Sequence, residues 1–123
     1  MGQGRYRMLI YGLSPTTGAE RTLDVSRIAA GVRLHSRDAE SYRDIDTITV
    51  PLDPLLAALI DRPAERSVLR GESAAGEARK LLDLTVRGNE VQLWVRTETG
   101  NGWDIAVGLD DFQDALEDAS DAA

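Results

Sequence analysis

The sequence predicts an α+β fold of two tandem β-β-β-β-α repeats, each an antiparallel sheet covered by one helix. The first observation is that residues 103–118 read as a strand that runs directly into a helix. Ile105, Val107 and Leu109 alternate with polar or small residues, as one buried face of a strand requires. The second observation is that residues 46–61 repeat this pattern without gaps. An internal duplication explains both.

The correspondence continues upstream of these two segments. Five pairs of non-apolar residues align there: Arg7 with Arg66, Gly12 with Gly71, Ser14 with Ser73, Asp24 with Asp83, and Arg37 with Arg96. Chance similarity between amphipathic strands accounts for shared apolar positions but not for these pairs. We therefore predict a single domain of two pseudo-repeats, about 5–62 and 66–119, with a frayed tail at 120–123.

The first repeat contains four predicted strands, 5–13, 22–26, 31–37 and 47–52, followed by a helix at 53–61. Asp53 is a favourable N-cap, and Pro54 suits the first helical position. This helix is apolar nearly all round, which predicts a central position between sheets or at a dimer interface.

The second repeat contains strands at 67–71, 80–87, 90–97 and 103–109, followed by a helix at 110–119. Gly88 and Asn89 form a turn pair that tolerates positive φ and makes a hairpin of the two middle strands. Asp110 is predicted to cap the helix, and Asp111 places a negative charge in its first turn, where the helix dipole favours it.

The composition limits the classes of protein to consider. The chain has no cysteine, which excludes disulfides and thiolate metal sites. Its apolar runs are too short for a secretory signal or a membrane span, so we expect a cytoplasmic protein. The net charge is −7, and no basic residue follows Arg96. The acids of the last helix, Asp111, Asp114 and Asp118, are expected to attract a basic protein partner.

Residues that could carry catalysis are scarce. His35 is the only histidine and lies in a predicted strand between Arg33 and Arg37, a setting more typical of a surface residue than of a general base. The sequence contains no metal-binding, phosphate-binding or nucleophile motif. We therefore expect a non-enzymatic protein without a cofactor or a metal.

The uncovered face of the predicted sheets is a second candidate for partner binding. If Val91, Leu93 and Val95 face the helix, alternation turns Gln92, Trp94 and Arg96 outward. Arginine beside tryptophan is the composition of binding hot spots and also of stacking platforms for single-stranded nucleic acid. The corresponding residues of the first repeat are Arg33, His35 and Arg37, and further candidates for this face are Thr47, Thr49, Arg70, Thr85 and Arg87.

Two families share features with these segments. The strand that runs into a helix at GWDIAVGLDDFQDAL is similar to the Whirly and transcriptional-coactivator family, whose sheet face holds single-stranded DNA. The acidic, periodic segments VPLDPLLAALID and VQLWVRTETGNGWDIAVGLDDFQDALEDA also resemble small immunity proteins of bacterial polymorphic toxin systems. That second resemblance implies a non-enzymatic inhibitor of a basic toxin surface.

Charge separates the alternatives. Nucleic-acid affinity depends on clustered cations that release counterions, and this chain is acidic with one lysine. A protein-binding module of the inhibitor or immunity type is therefore the preferred prediction. The alternatives are a Whirly-like protein that binds single-stranded nucleic acid through Trp94 and Arg96, and a structural subunit that forms a homodimer through helix 53–61.

Overall fold

The computed structural model describes residues 7–29, 31–61, 67–72, 79–97 and 102–121. In these parts of the chain, eight strands form one closed antiparallel barrel in the order β1 to β8. The strands are β1 (Arg7–Leu13), β2 (Glu20–Ile28), β3 (Gly31–Asp38), β4 (Asp44–Val50), β5 (Ser67–Glu72), β6 (Arg79–Arg87), β7 (Glu90–Thr97) and β8 (Gly102–Gly108). Helix α1 (Leu52–Asp61) follows β4, and helix α2 (Leu109–Asp121) follows β8.

The prediction of two tandem repeats, each with its own open antiparallel sheet, is wrong because the two groups of four strands join edge to edge. Thr49 of β4 pairs with Glu72 of β5, and Leu13 of β1 pairs with Ala106 of β8. We call these junctions the β4–β5 seam and the β1–β8 seam. Among the described residues, each seam has a single ladder pair, whereas neighbouring strands elsewhere pair along most of their length.

Glycine allows the close approach of the strands at both seams. A Cβ atom on Gly12 would lie 2.3 Å from the carbonyl oxygen of Ala106, and one on Gly71 would lie 2.7 Å from that of Thr49. Both distances are shorter than carbon and oxygen tolerate, so no larger residue fits without moving the seam.

Closure gives the molecule one interior that both helices share. Inward side chains of the strands, such as Leu23, Leu34 and Leu93, have 0% exposure. Leu55 of α1 and Phe112 of α2 belong to the same core. Helix α2 packs against β1, β2, β7 and β8, whereas α1 packs against α2 and β5. The expectation that the first helix packs between two sheets is therefore wrong, because the strands form one barrel and α2 makes the broader contact with it.

Most predicted elements lie within a few residues of the observed ones. Both helices begin one residue before the predicted caps, so that Asp53 and Asp110 lie in the first turn. Helix α2 continues to Asp121, which corrects the expectation that the chain frays from residue 120 onward. Residues 122–123 and the first two residues of the predicted strand 5–13 lie outside the described residues.

A polar cluster lies inside the barrel at the starts of β4, β6 and β8, away from the helices. The Nζ of Lys80 is 2.7 Å from each carboxylate oxygen of Asp46 and 2.9 Å from the Thr47 carbonyl oxygen. The Trp103 indole N–H also donates to Asp46, at 3.1 Å. Lys80 is only 8% exposed, so this cluster ties three strands together across the β4–β5 seam.

Candidate protein-binding surface

The outer face of β7 carries the exposed tryptophan that alternation predicts. Val91, Leu93 and Val95 are buried, and Trp94 points outward with 44% of its surface exposed. The guanidinium carbon of Arg96 lies 5.1 Å from the centroid of the indole ring, within the range of a cation–π interaction. The ring is therefore held in place while part of it stays open to a partner.

The barrel places the two predicted strand faces on opposite sides of the molecule. Gln92, Trp94 and Arg96 lie on β7, and Arg33, His35 and Arg37 lie on β3. These strands are four positions apart in a ring of eight. They cannot form one binding face.

The β3 face is already occupied by its own ion pairs. The Nε2 of His35 is 3.2 Å from Asp44 Oδ1, and the Nε of Arg37 is 3.0 Å from the same oxygen. Arg37 also lies 3.2 Å from Asp24. The hydrogen bond from Arg37 lowers the pKa of Asp44, which keeps this carboxylate ionised. Side chains of the protein itself therefore cover much of His35, of which 21% is exposed.

Trp94, in contrast, lies between two carboxylates on neighbouring strands. Its cross-strand partners are Asp83 on β6 and Asp104 on β8. Arg96 is 3.0 Å from Asp83, and Asp104 accepts hydrogen bonds from the hydroxyls of Ser14 and Thr16. A cleft of about 570 Å³ opens at this point, and its lining includes Thr16, Arg21, Gln92, Trp94 and Asp104.

The exposed surface continues across the β1–β8 seam onto an apolar strip of β1. Gln92 pairs with Ala106, which in turn pairs with Leu13. Leu9, Tyr11 and Leu13 alternate along β1 and are 42%, 63% and 50% exposed. Because Ala106 and Gly108, the outward residues of β8 nearest to β1, are small, the strip and Trp94 border one surface. We call it the β7–β8–β1 surface; its residues are Leu9, Tyr11, Leu13, Gln92, Trp94, Asp104, Ala106 and Gly108.

Sequence reasoning missed the β1 strip, although a signal for it was present. The run RMLIYGL is apolar at odd and even positions alike. A strand with one face in water alternates, so a strand that is apolar on both faces indicates either two buried faces or an exposed apolar surface. Only the closed barrel shows which face of β1 points outward.

The predicted acidic residues lie on the exposed side of α2. Asp111 and Asp114 are exposed, and Asp118 is half-buried. Asp111 Oδ2 lies 3.3 Å from the position that a Cβ atom on Gly108 would occupy. Gly108 is four residues from Asp104 along β8, which is about 13 Å at the rise of a strand. Asp111 therefore borders the end of the β7–β8–β1 surface that lies away from Asp104.

Arg87, at the end of β6, is exposed and is the ladder partner of Glu90 across the hairpin.

A second cleft, of about 620 Å³, lies at the β4–β5 seam. Basic side chains predominate among its charged residues, which are Arg70, Glu72, Arg79, Lys80 and Arg96. Lys80 and Arg96 already contact Asp46 and Asp83, which reduces the positive charge that they offer to a ligand.

Within the described ranges, no group of three or more acidic or histidine side chains is arranged to hold a metal ion. None of the helices described there is long and apolar enough to cross a membrane. Comparison of the chain with protein-family models, curated proteins and solved structures finds no match to any of them. Its function is therefore inferred from the described residues.

Proposed function

We propose that the chain is a non-enzymatic protein-binding module of the inhibitor or immunity type that binds its partner through the β7–β8–β1 surface. The observation that carries this proposal is Trp94, which is 44% exposed and held by Arg96. A half-exposed tryptophan held beside an arginine is characteristic of binding hot spots. The corresponding position on β3 is His35, whose surroundings are filled by the protein's own ion pairs.

The charges around this surface favour a basic protein over nucleic acid. Acids outnumber bases on and around it: Glu20, Glu90, Asp104 and Asp111 against Arg21 and Arg87, while Asp83 and Arg96 pair with each other. The net charge of −7 acts in the same direction. Such a field attracts cationic side chains and repels phosphates, and an arginine or lysine of the partner gains further from the indole ring.

The proposal is tested with peptides selected from a phage-displayed library of random linear sequences on the wild-type protein. The selected peptides are synthesised with a fluorescent label and titrated by anisotropy at about 0.15 M salt. Trp94→Ala is expected to raise Kd by about tenfold or more, as truncation of an aromatic hot spot does. His35→Ala is the matched control, because His35 is also an outward, mid-strand residue opposite an aspartate, and it should leave Kd unchanged. Equal Kd values for wild type and Trp94→Ala would refute the proposal.

A second candidate function is binding of single-stranded nucleic acid, and the cleft at the β4–β5 seam is the observation that favours it. Its arginines, with the nearby indole ring of Trp94, provide cations and a stacking surface. Anisotropy of a labelled single-stranded oligonucleotide at about 0.01 M salt gives this candidate its best conditions. Saturable binding that weakens with salt and is lost in Trp94→Ala would establish it in place of the protein-binding function.

A further inference from the structure

Tyr42, in the loop between β3 and β4, has a backbone conformation that tyrosine rarely adopts. Its φ is +58°, and among the described residues other than glycine it alone has a positive φ. The left-handed region brings Cβ against the backbone and disfavours bulky residues, whereas glycine adopts it freely. The ring is 60% exposed, so burial of the ring in the core contributes little to offset this strain.

Hydrogen bonds of the loop enforce this conformation. Asp38 Oδ1 accepts the N–H groups of Glu40 and Ser41, both at 2.9 Å. The Tyr42 N–H donates to the Asp38 carbonyl at 2.9 Å, and the Asp38 N–H donates to the Arg43 carbonyl at 3.0 Å. The backbone amides lower the pKa of Asp38, so its carboxylate remains an acceptor throughout the neutral range. The turn is therefore well defined.

The loop brings Tyr42 to the apolar strip of β1. The Ala39 N–H donates to the Glu20 carbonyl of β2 at 3.1 Å, which fixes the loop beside β2, the strand paired with β1. Glu20, which anchors the loop, pairs with Leu13 of β1, and a hydrogen bond with Tyr42 raises the pKa of Tyr11. Two largely exposed tyrosines from different hairpins thus stand together beside Leu9 and Leu13.

We propose that Tyr42 extends the β7–β8–β1 surface and forms with Tyr11 a tyrosine ridge that docks a partner segment carrying an apolar or aromatic side chain next to arginine or lysine. This inference rests on the proposed protein-binding function and adds both the position of the contact and the chemistry of the partner. Tyrosine supplies a large, rigid contact area at low entropic cost. A strained residue that contributes little to the core and remains exposed is typical of a binding site.

Charge indicates which partner fits the ridge. Glu20, paired with Leu13, and Glu40, in the loop, are exposed acids beside it, and they outnumber Arg43, the exposed base that follows Tyr42. A second copy of this chain would bring the same acids and a further net charge of −7 against them, which opposes self-association through this face. A basic partner gains from the same charges.

The experiment uses the peptides selected on the wild-type protein and compares Tyr42→Gly with Tyr42→Phe. Glycine adopts the positive φ without strain, so the melting temperature of Tyr42→Gly should be equal to or higher than that of the wild type. Because the ring is lost, Kd should rise about tenfold. Phenylalanine keeps the ring and should stay within about threefold of the wild-type Kd. Tyr11→Ala, at a position that is 63% exposed, should weaken binding without changing the loop. The peptides themselves should be enriched in arginine or lysine next to an apolar residue.

The outcomes separate the ridge from the proposed function. If Trp94→Ala weakens binding and both Tyr42→Gly and Tyr11→Ala leave it unchanged, the binding function stands and the ridge is refuted. If none of the three changes Kd, or if no peptide is enriched, both proposals fall. Enrichment of peptides without basic residues would overturn the partner chemistry. A dimer in sedimentation that Tyr42→Gly dissociates would show that a second copy of the chain is the partner.

Discussion

At the scale of single residues, the charge that Lys80 carries inside the barrel is paired. Lys80 is almost fully buried, yet its ammonium group contacts both oxygens of Asp46 and a carbonyl oxygen. The side chain of Asp46 keeps 31% of its surface exposed, so water reaches one side of the pair. The pair therefore contributes to stability mainly through the cost of breaking it.

Removal of one partner of this pair should destabilise the fold. Asp46→Ala leaves the Lys80 ammonium buried without its carboxylate and frees the Trp103 N–H, which should lower the free energy of unfolding by about 3 kcal/mol. Urea denaturation measures the loss. The double variant Asp46→Leu with Lys80→Met removes both charges and should recover much of it. A loss below about 0.5 kcal/mol for the single variant, the usual size for a surface substitution, would contradict this view of the cluster.

At the scale of elements, the two seams depend on glycine because single ladder pairs hold strands that approach very closely. Gly12 and Gly71 each lie against a carbonyl oxygen of the neighbouring strand. A backbone atom cannot move aside as the end of a flexible side chain can, so a methyl group at either position has to part the strands.

Gly12→Ala should therefore open the β1–β8 seam and reduce the free energy of unfolding by about 2 kcal/mol or more. Gly108→Ala is the control on β8, because the nearest atom to its new methyl group would be a carboxylate oxygen of Asp111, at 3.3 Å. That flexible side chain can rotate away, so the control should lose less than about 0.5 kcal/mol. Thermal unfolding measures the loss of unfolding free energy in both variants, and equal losses would show that the seam does not require glycine.

Alternation and turn residues predicted the strands and helices well, because these signals are local. The inward set of β7 and the outward position of Trp94 follow from a period of two residues. Barrel closure rests on Leu13 with Ala106 and Thr49 with Glu72, pairs that leave no periodic signal in either strand. Part of the candidate site follows from the sequence for the same reason, because alternation turns Trp94 outward. The contribution of Tyr42 depends on a backbone angle, and the separation of β3 from β7 depends on closure of the barrel, and neither leaves a local signal in the sequence.

At the scale of the whole molecule, the barrel is held unevenly around its circumference. β3 and β7 are paired along most of their length on both sides. β1 and β5 pair along their whole length with one neighbouring strand, but among the described residues each forms only one ladder pair with its other neighbour. The strands at the seams therefore have fewer ladder bonds than those in the middle of each group of four.

This difference should appear in amide hydrogen exchange of the free protein. Amides of β3 and β7 are expected to exchange most slowly, at rates set by global unfolding, while those of β1 and β5 exchange faster through local opening of the seams. Mass spectrometry of peptic fragments resolves the four strands. Uniform protection of all four would contradict a barrel with two weak junctions, and Gly12→Ala should accelerate exchange in β1 before it does so in β5.

The buried pair of Lys80 and Asp46 also decides how β4 and β5 can align. One ladder pair at their seam fixes the register weakly, but a slip of one residue would turn Asp46 to the outside and leave Lys80 alone in the interior. A slip of two residues would keep the carboxylate inside but move it by about 6.6 Å, beyond the reach of the ammonium group. A closure misaligned by one or two residues thus breaks the buried pair, and the one-residue slip also turns Ile48 and Val50 out of the core. Apolar burial and electrostatics together disfavour these alternatives to the correct barrel.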